Sequence, residues 1–556
     1  MIFHPPAWLP AITENHLSEL GTISDFVLKG QPKEECFNPS PAESPVLVTS
    51  QGDKSKTASQ LADDVEALAA TLSRDLGWPP NDAADKVIAI LSENTLDYMT
   101  CCWAIHRLGA TCLLLHGSTP PNENAAHLKK TNCTVLITSP TLLPSARAAL
   151  SGAGVSESES RLYLNGPNSD DQLKTIETLL TSGTSLSPLP SAPKNPIAYL
   201  CPTSGTSGTQ KLVRMTHSAI IANILQLSVL ERLSRSEFEI VLGVLPLSHV
   251  QGIVASHCSV YLRDRIIVHS KFDMQAALAS IQTFKINRLY LVPSVLAALM
   301  GNPFLFKAFN LSSIKSVYVG AGNVTPELRQ KVKAAQAGWN IVTGYGLTES
   351  PCAVAMSSPR EYVDNTVGVL LSSYQAKLLR EDGTEVEGFD EPGELVVSSP
   401  NQAAGYFPPS EADTTFSQDG WLRTGDVALF RKSPDGDAHL SIVDRLRDMI
   451  KVKGLQVSPV TMEACLREHE KVADAAVIGV ADELAGERPK AFVVLARKLE
   501  GKEAEEEFFD ELDDFVEERL AESHWLRGRY EIIEALPRNP SGKVSKGVLR
   551  AKERGE

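Results

Sequence analysis

The chain has 556 residues, 43% of them hydrophobic, and a formal net charge of −15. That length is too great for one ordinary core, so two or more domains are expected, while the acidic balance disfavours a nucleic-acid surface, which needs a concentrated basic face. Nine cysteines, at positions 36, 101, 102, 112, 133, 201, 258, 352 and 465, form no Cys-x-x-Cys spacing, which argues against structural zinc and against a disulfide framework.

In chain order, the amino terminus carries Pro5, Pro6 and Pro10 without a basic start, unlike a secretory signal, and no apolar run reaches membrane-spanning length. Apolar residues recur at helical spacing over 58–76. A strand is predicted at Val87 to Leu91, and another helix at Leu96 to Leu108. The Ser/Pro-rich stretch from Ser151 to Pro193 reads as linker. Strand-like runs then follow at Ile197 to Leu200, Ile240 to Leu245, Arg265 to Val268, Leu289 to Val292 and Ser316 to Val319. This alternation predicts an α/β domain with a sheet assembled from distant segments. Beyond Glu394 to Val397 the strands are expected to be shorter. A smaller unit is expected from about Asp444, with a helix near Pro459 to His469, strands at Ala475 to Val480 and Ala491 to Leu495, and a solvated amphipathic helix within Glu500 to Glu522. The last residues, Arg-Gly-Glu, are not a Ser-Lys-Leu-type address. The expectation is a cytoplasmic protein, monomeric or homodimeric, acting on small molecules.

The run Thr203-Ser204-Gly205-Thr206-Ser207-Gly208-Thr209-Gln210-Lys211 follows the Ile197 strand. Small hydroxyl and glycine residues can turn several N–H groups around a phosphate, and Lys211 adds charge. The pentapeptide Thr-Ser-Gly-Thr-Ser also occurs at Thr181 to Ser185, in the stretch read as linker, so composition alone is weak evidence. Gly205 to Lys211 lacks the Walker spacing. Gly344-Tyr345-Gly346 and Gly320-Ala321-Gly322 fail the dinucleotide fingerprint, because Glu349 and Thr325 stand where its third glycine would.

Four further runs accompany the loop: Thr343 to Ser350 (Thr-Gly-Tyr-Gly-Leu-Thr-Glu-Ser), Asp419 to Asp426 (Asp-Gly-Trp-Leu-Arg-Thr-Gly-Asp), Ile442 to Gly454, and Pro537 to Lys543 (Pro-Arg-Asn-Pro-Ser-Gly-Lys). In this order they resemble the adenylate-forming superfamily of acyl-CoA synthetases, most closely its coumarate and acyl-CoA ligase branch. The resemblance covers the chain from Gln60 to Arg550, apart from the stretch read as linker. It implies an α/β fold in which a large amino-terminal domain of several subdomains, 1–443, is joined to a small mobile α+β domain, 444–556. It also implies ATP and coenzyme A as co-substrates, Mg²⁺ as cofactor, and a carboxylic acid activated as its acyl-adenylate.

By the same resemblance, Thr203 to Lys211 would hold the ATP phosphates, with Thr348 bonding a phosphate and Glu349 binding Mg²⁺, a hard cation suited to carboxylate. Tyr345, between Gly344 and Gly346, would lie against adenine; Asp426 would accept from the ribose hydroxyls, with Arg445 beside it. Lys543 would neutralise charge developing at the α-phosphate. The small domain would then turn about a hinge at Asp444, and Lys271, Arg447, Lys451, Lys453 and Gly454 would contact coenzyme A, a reading favoured for Lys451 and Lys453 over the alternative of solvated surface charges. His249, Gln251, Ala255, Gly320, Ala321, Gly344, Pro351 and Cys352 would line the acid site.

The pattern departs from the family in two places. Gln251 stands where coumarate ligases carry a tyrosine, which leaves an aryl or a medium-chain acid open. Gln210 replaces the usual proline of the loop. Other adenylating chemistries lack their signals: there is no Lys-x-Asp-Gly, and Lys543-Val-Ser-Lys546 has no His-x-Gly-His partner. A separate carrier protein as thiol acceptor, and a non-catalytic nucleotide binder, are the remaining alternatives.

Overall fold

The structure is a computed structural model that describes residues 1–12, 21–29, 44–79, 83–156, 158–167, 170, 172–183, 196–203, 210–235, 237–320, 324–410, 413–453, 455–482, 484–499, 501–538 and 544–555. Its first sheet has eight strands. At the centre, Val87–Leu91 lies parallel to both Thr111–Leu115 and Val135–Thr138, while Ile197–Thr203 and Lys211–Thr216 form an antiparallel pair on one side. The central strands are continuous Val, Ile and Leu runs because both faces are covered. One covering helix, Ala58–Leu76, begins in a reciprocal cap between Thr57 and Gln60 and stops at Gly77, which takes φ 65°.

The second sheet has thirteen strands and changes character along its length. Ile240–Gly243, Arg265–Val268, Arg288–Leu291, Ser316–Val319 and Asn340–Leu347 run parallel, and from Cys352–Met356 onward the pairing becomes antiparallel. The antiparallel half contains the long hairpin Leu422–Lys432 with Ala438–Arg445, so the strands after Val397 are not uniformly short.

A third sheet, of five strands, is built from Ile450–Val452, Leu455–Val457, Val472–Asp482, Gly486–Leu495 and Tyr530–Ile532. Two hydrophobic clusters consist wholly of residues from Ile450 onward. The helix Lys502–Glu517 turns Phe508, Leu512 and Val516 into one of them and leaves its acidic face in water. The architecture is thus the α/β large part with a small α+β part that the sequence implied.

One reading is overturned. Much of the stretch taken as linker is folded: Arg161–Leu164 and Lys174–Thr175 extend the first sheet, and Ile176–Gly183 is a helix burying Ile176 and Leu179. The first copy of the pentapeptide therefore starts in a helix, where Gly183 approaches the Ala67 carbonyl so closely that a Cβ would overlap it. Serine is the commonest residue there and Pro188, Pro190 and Pro193 follow closely, which overshadows the helical spacing of Ile176, Leu179 and Leu180. Smaller differences are that the helix read from Leu96 begins at Tyr98, and the strand read through Leu245 ends at Gly243. Among the described residues no helix is long and apolar enough to cross a membrane.

Candidate active site

Parallel strands present their carboxyl ends as a shared edge, where ligands of open α/β sheets sit. Two of these ends matter here. Ser316–Val319 leads to Gly320, and Asn340–Leu347 carries Gly344, Tyr345 and Gly346 before turning through Thr348 and Glu349. The register slips between Tyr345 and Gly346, and a Cβ on Gly346 would overlap the Cys352 carbonyl oxygen, so only glycine allows this tight return. Cys352 itself holds φ 82°. The turn is fastened from below: the buried Ser350 hydroxyl lies 2.6 Å from the Tyr374 hydroxyl, which donates to the Ala353 carbonyl at 3.1 Å. Pro351 is buried in the same turn.

The long hairpin sets Asp426 directly opposite Arg445. Asp426 is buried; the Tyr345 hydroxyl donates to its Oδ2 at 2.6 Å, and Arg445 Nε stands 3.5 Å from its Oδ1. Burial and then the Asp426 carboxylate push the Tyr345 phenol well above its ordinary pKa, so it stays a neutral donor. An aromatic face, a buried carboxylate and a guanidinium thus meet, as a nucleoside with a hydroxyl-bearing sugar requires.

The predicted phosphate loop is framed by its two ends: Thr203 and Lys211 pair across the antiparallel strands. Ser204, Gly205, Thr206, Ser207 and Gly208 lie outside the described residues, as do Ala321, Gly454 and Lys543. Gln210 shows what replaces proline stiffness: its Oε1 lies 2.8 Å from Nε2 of the buried His127, and its Nε2 donates to Glu123 at 3.2 Å. Lys211 Nζ rests 4.2 Å above the Tyr406 ring, and the Tyr406 hydroxyl donates to Glu349 Oε1 at 2.8 Å.

Among the described residues no three His, Cys, Asp or Glu side chains form a metal cage. Glu349, one oxygen of which bonds Tyr406, fits a hard cation held mostly by phosphate oxygens and water.

On the acid side, His249 precedes the helix Val250–Tyr261 and is half-buried. Gln251, one residue into that helix, reaches Gly320; a Cβ there would lie 2.5 Å from Gln251 Nε2. The backbone before the helix is braced by Asn94, whose Nδ2 donates to the Leu245 carbonyl and whose Oδ1 accepts from Leu247 N, both at 2.9 Å. Behind it, the helix face of Gly252, Ala255, Ser256 and Ser259 confronts Val241, Gly243, Ile266 and Tyr290 across a narrow, mainly apolar slot with a cavity volume of about 30 Å³.

The residues assigned to coenzyme A are placed less uniformly. Lys271 is exposed just beyond the strand Arg265–Val268. Lys451 is exposed and paired with Glu381 at 3.2 Å, and Lys453 is exposed at φ 50°. Arg447 is exposed, yet desolvation of its guanidinium and the neighbouring Arg445 charge lower its pKa from the usual guanidinium range. Asp444 is buried; it accepts from Ser458 Oγ at 2.9 Å, Val460 N at 3.3 Å and Arg445 N at 2.7 Å, tying the hairpin to the helix Pro459–Arg467. Sequence reasoning missed Tyr406, Asn94 and the slot, none of which has a motif of its own.

Residues 34–407 match the AMP-binding enzyme family, and residues 461–543 match the AMP-binding enzyme C-terminal domain. Acyl-CoA ligase easD of Emericella nidulans is 39% identical over 567 residues, covering 99% of this chain and 100% of that one. Acyl-CoA ligase frbB of a Dothideomycetidae species is 40% identical, covering 91% and 93%. Among solved structures, the anthranilate CoA ligase AuaEII in complex with anthranoyl-AMP has the same fold, with TM-score 0.83 at 22% identity over 98% of this chain and 99% of that one. The amide bond synthetase McbA from Marinactinospora thermotolerans gives a TM-score of 0.77 at 25% identity, over 95% and 99%.

Proposed function

Because the chain belongs to the AMP-binding enzyme family and is an ATP-dependent acyl-CoA ligase, we propose that its acid carries an apolar tail of medium length, lodged in the slot behind Gln251. As it stands the slot, at about 30 Å³, has room for a water or two, so a tail enters it by parting the helix Val250–Tyr261 from the strands that face it.

In the first half-reaction a carboxylate oxygen attacks the α-phosphorus, the new O–P bond forms and pyrophosphate leaves with the electron pair of the broken one. Tyr345 supports the adenine, and Asp426 accepts from the ribose hydroxyls with Arg445 alongside. The 203–211 loop and Thr348 hold the phosphates. Lys543 steadies the attacking and phosphoryl oxygens; removing such a group costs about 10²- to 10³-fold in rate. Glu349 would hold Mg²⁺, which supplies charge neutralisation at the phosphates. His249, Gln251, Ala255, Gly320, Ala321, Gly344, Pro351 and Cys352 surround the acyl group.

In the second half-reaction the thiol sulfur of coenzyme A attacks the acyl carbon, its proton passes to solvent, and AMP leaves. The small domain, 444–556, turns about Asp444, whose hydrogen bonds from Ser458 Oγ and Val460 N join the hairpin to the helix Pro459–Arg467. Arg447, Lys451, Lys453, Gly454 and Lys271 then offer cations and backbone to the coenzyme's phosphates.

The observation that carries this reading is the meeting of Tyr345, Asp426 and Arg445 at the carboxyl edge of the sheet. Exchange of labelled pyrophosphate into ATP, over straight-chain and aryl acids, tests it. Exchange should be stronger with straight-chain aliphatic acids than with aryl acids; preference for compact aryl acids would remove the tail assignment, and no exchange with any acid would remove the catalytic roles. Transfer to a carrier protein but not to coenzyme A would reassign the acceptor.

A further inference from the structure

Tyr406 has no part in the scheme above, yet it touches two of its residues. Its ring carries the Lys211 ammonium at 4.2 Å, and its hydroxyl bonds Glu349 at 2.8 Å. The backbone is equally committed. Tyr406 and Phe407 pair with Val213 and Leu212 on the strand leaving the phosphate loop, and the run continues through hydrogen bonds between Ala404 N and Arg214 O and between Arg214 N and Gly405 O. Three residues before Tyr406, Ala403 N donates to the Glu349 carbonyl at 3.0 Å. One short segment therefore fastens both the loop strand and the Glu349 turn. The Phe416 ring, edge-on at 5.6 Å, fixes the tyrosine ring from the side.

An ammonium and a carboxylate this close to a common neighbour attract each other strongly in a half-buried site. Paired, each would neutralise the charge that the other ligand group needs: Lys211 for a triphosphate, Glu349 for its cation. The structure instead places an aromatic ring under the ammonium and a hydroxyl on the carboxylate, and among the described residues neither charge meets an opposite one. Burial and the Glu349 charge raise the Tyr406 phenol pKa, which keeps it a donor.

We propose that Tyr406 is a positioning residue, a spacer that holds Lys211 and Glu349 apart and aims them at the triphosphate and its divalent cation. The proposal rests on the phosphate and cation roles given above to Lys211 and Glu349.

The test is ATP binding by equilibrium dialysis with all divalent cation chelated, so that no acid and no turnover are involved. Tyr406→Leu removes ring and hydroxyl; Lys211 then falls onto Glu349, and ATP affinity drops about five- to tenfold. Adding Glu349→Gln removes the competing carboxylate, and the double variant recovers to within about twofold of Glu349→Gln alone. A double variant as weak as Tyr406→Leu would mean lost packing and overturn the spacer, as would a Tyr406→Leu variant binding like the parent. Tyr406→Phe keeps the ring and gives a second reading that survives if the Leu variant does not fold. Its cation-free ATP affinity should match the parent, while the Mg²⁺ concentration that half-saturates the gain in ATP affinity rises about three- to tenfold. An unshifted Mg²⁺ dependence, or a weakened cation-free affinity, would contradict the division of roles. Failure of the pyrophosphate panel leaves this dialysis cycle standing, and failure of the cycle leaves the panel standing.

Discussion

Ser259 lines the slot two helical turns beyond Gln251 and is only 2% exposed. Ser259→Leu adds two non-hydrogen atoms there and should cut the accepted chain by two to three atoms. Each methylene that finds burial is worth about 0.8 kcal/mol, or about fourfold in kcat/KM. Across straight-chain acids the parent should therefore climb about fourfold per added carbon for as long as the slot admits the chain. In the variant the climb should stop two to three carbons earlier, leaving the longest acids that the parent accepts about 15- to 60-fold poorer and four-atom acids unchanged. The assay is initial-rate acyl-CoA formation over the acid series, with thermal melting alongside, since overpacking costs about 1–3 kcal/mol if the slot does not accept the larger side chain. A parent series that is flat with chain length, or a variant that loses the same factor for every acid, would refute the placement of the tail.

Asp426→Ala removes a buried acceptor and leaves the Tyr345 hydroxyl without its 2.6 Å partner. Hydrogen bonds to a charged group are worth about 1.5–3 kcal/mol, so KM for ATP should rise about 10- to 150-fold with little change in KM for the acid; equal rises in both would indicate general damage. A pH effect follows from two histidines beneath the first sheet. Burial pulls His217 down to about 4 and His257 down to about 3; the neutral ring of His217 accepts from Ile23 N at 3.2 Å, and His257 Nε2 lies 2.9 Å from the Tyr199 hydroxyl. Both folded values lie below the ordinary ~6.5, so the stability they allow is complete above pH 6.5 and is lost as pH falls toward 4, at about 1.4 kcal/mol per pH unit for each ring. Urea titrations between pH 6 and 4.5 should show His257→Gln with a slope smaller than the parent's by one proton; parallel slopes would contradict this.

The parts of the site legible in the sequence are those in which one short run does the whole job. The glycine of Gly344-Tyr345-Gly346 marks a return too tight for a side chain, whereas the hydroxyl-rich run becomes a phosphate-loop candidate only with the strand before it and Lys211 after it, since the copy at Thr181 starts in a helix. The Asp426–Arg445 pairing was reachable only through family resemblance, because nothing local sets the register of a hairpin whose partners lie nineteen residues apart. The slot draws on six separated segments, around Leu47, Asn94, Val241, Ala255, Ile266 and Tyr290, each an ordinary core run in isolation. Tyr406 and the Gln210 clamp depend on partners dozens of residues away, so their meaning exists only once the sheet is assembled.

The central claim is that adenylation and thioester formation are separate acts, with Lys543 serving only the first. Lys543→Ala should lose acyl-adenylate formation by about 10²- to 10³-fold, measured as pyrophosphate exchange. It should also convert a supplied acyl-adenylate and coenzyme A to thioester within about twofold of the parent rate, since that step places no demand on the lysine. Equal loss of both half-reactions would contradict the account.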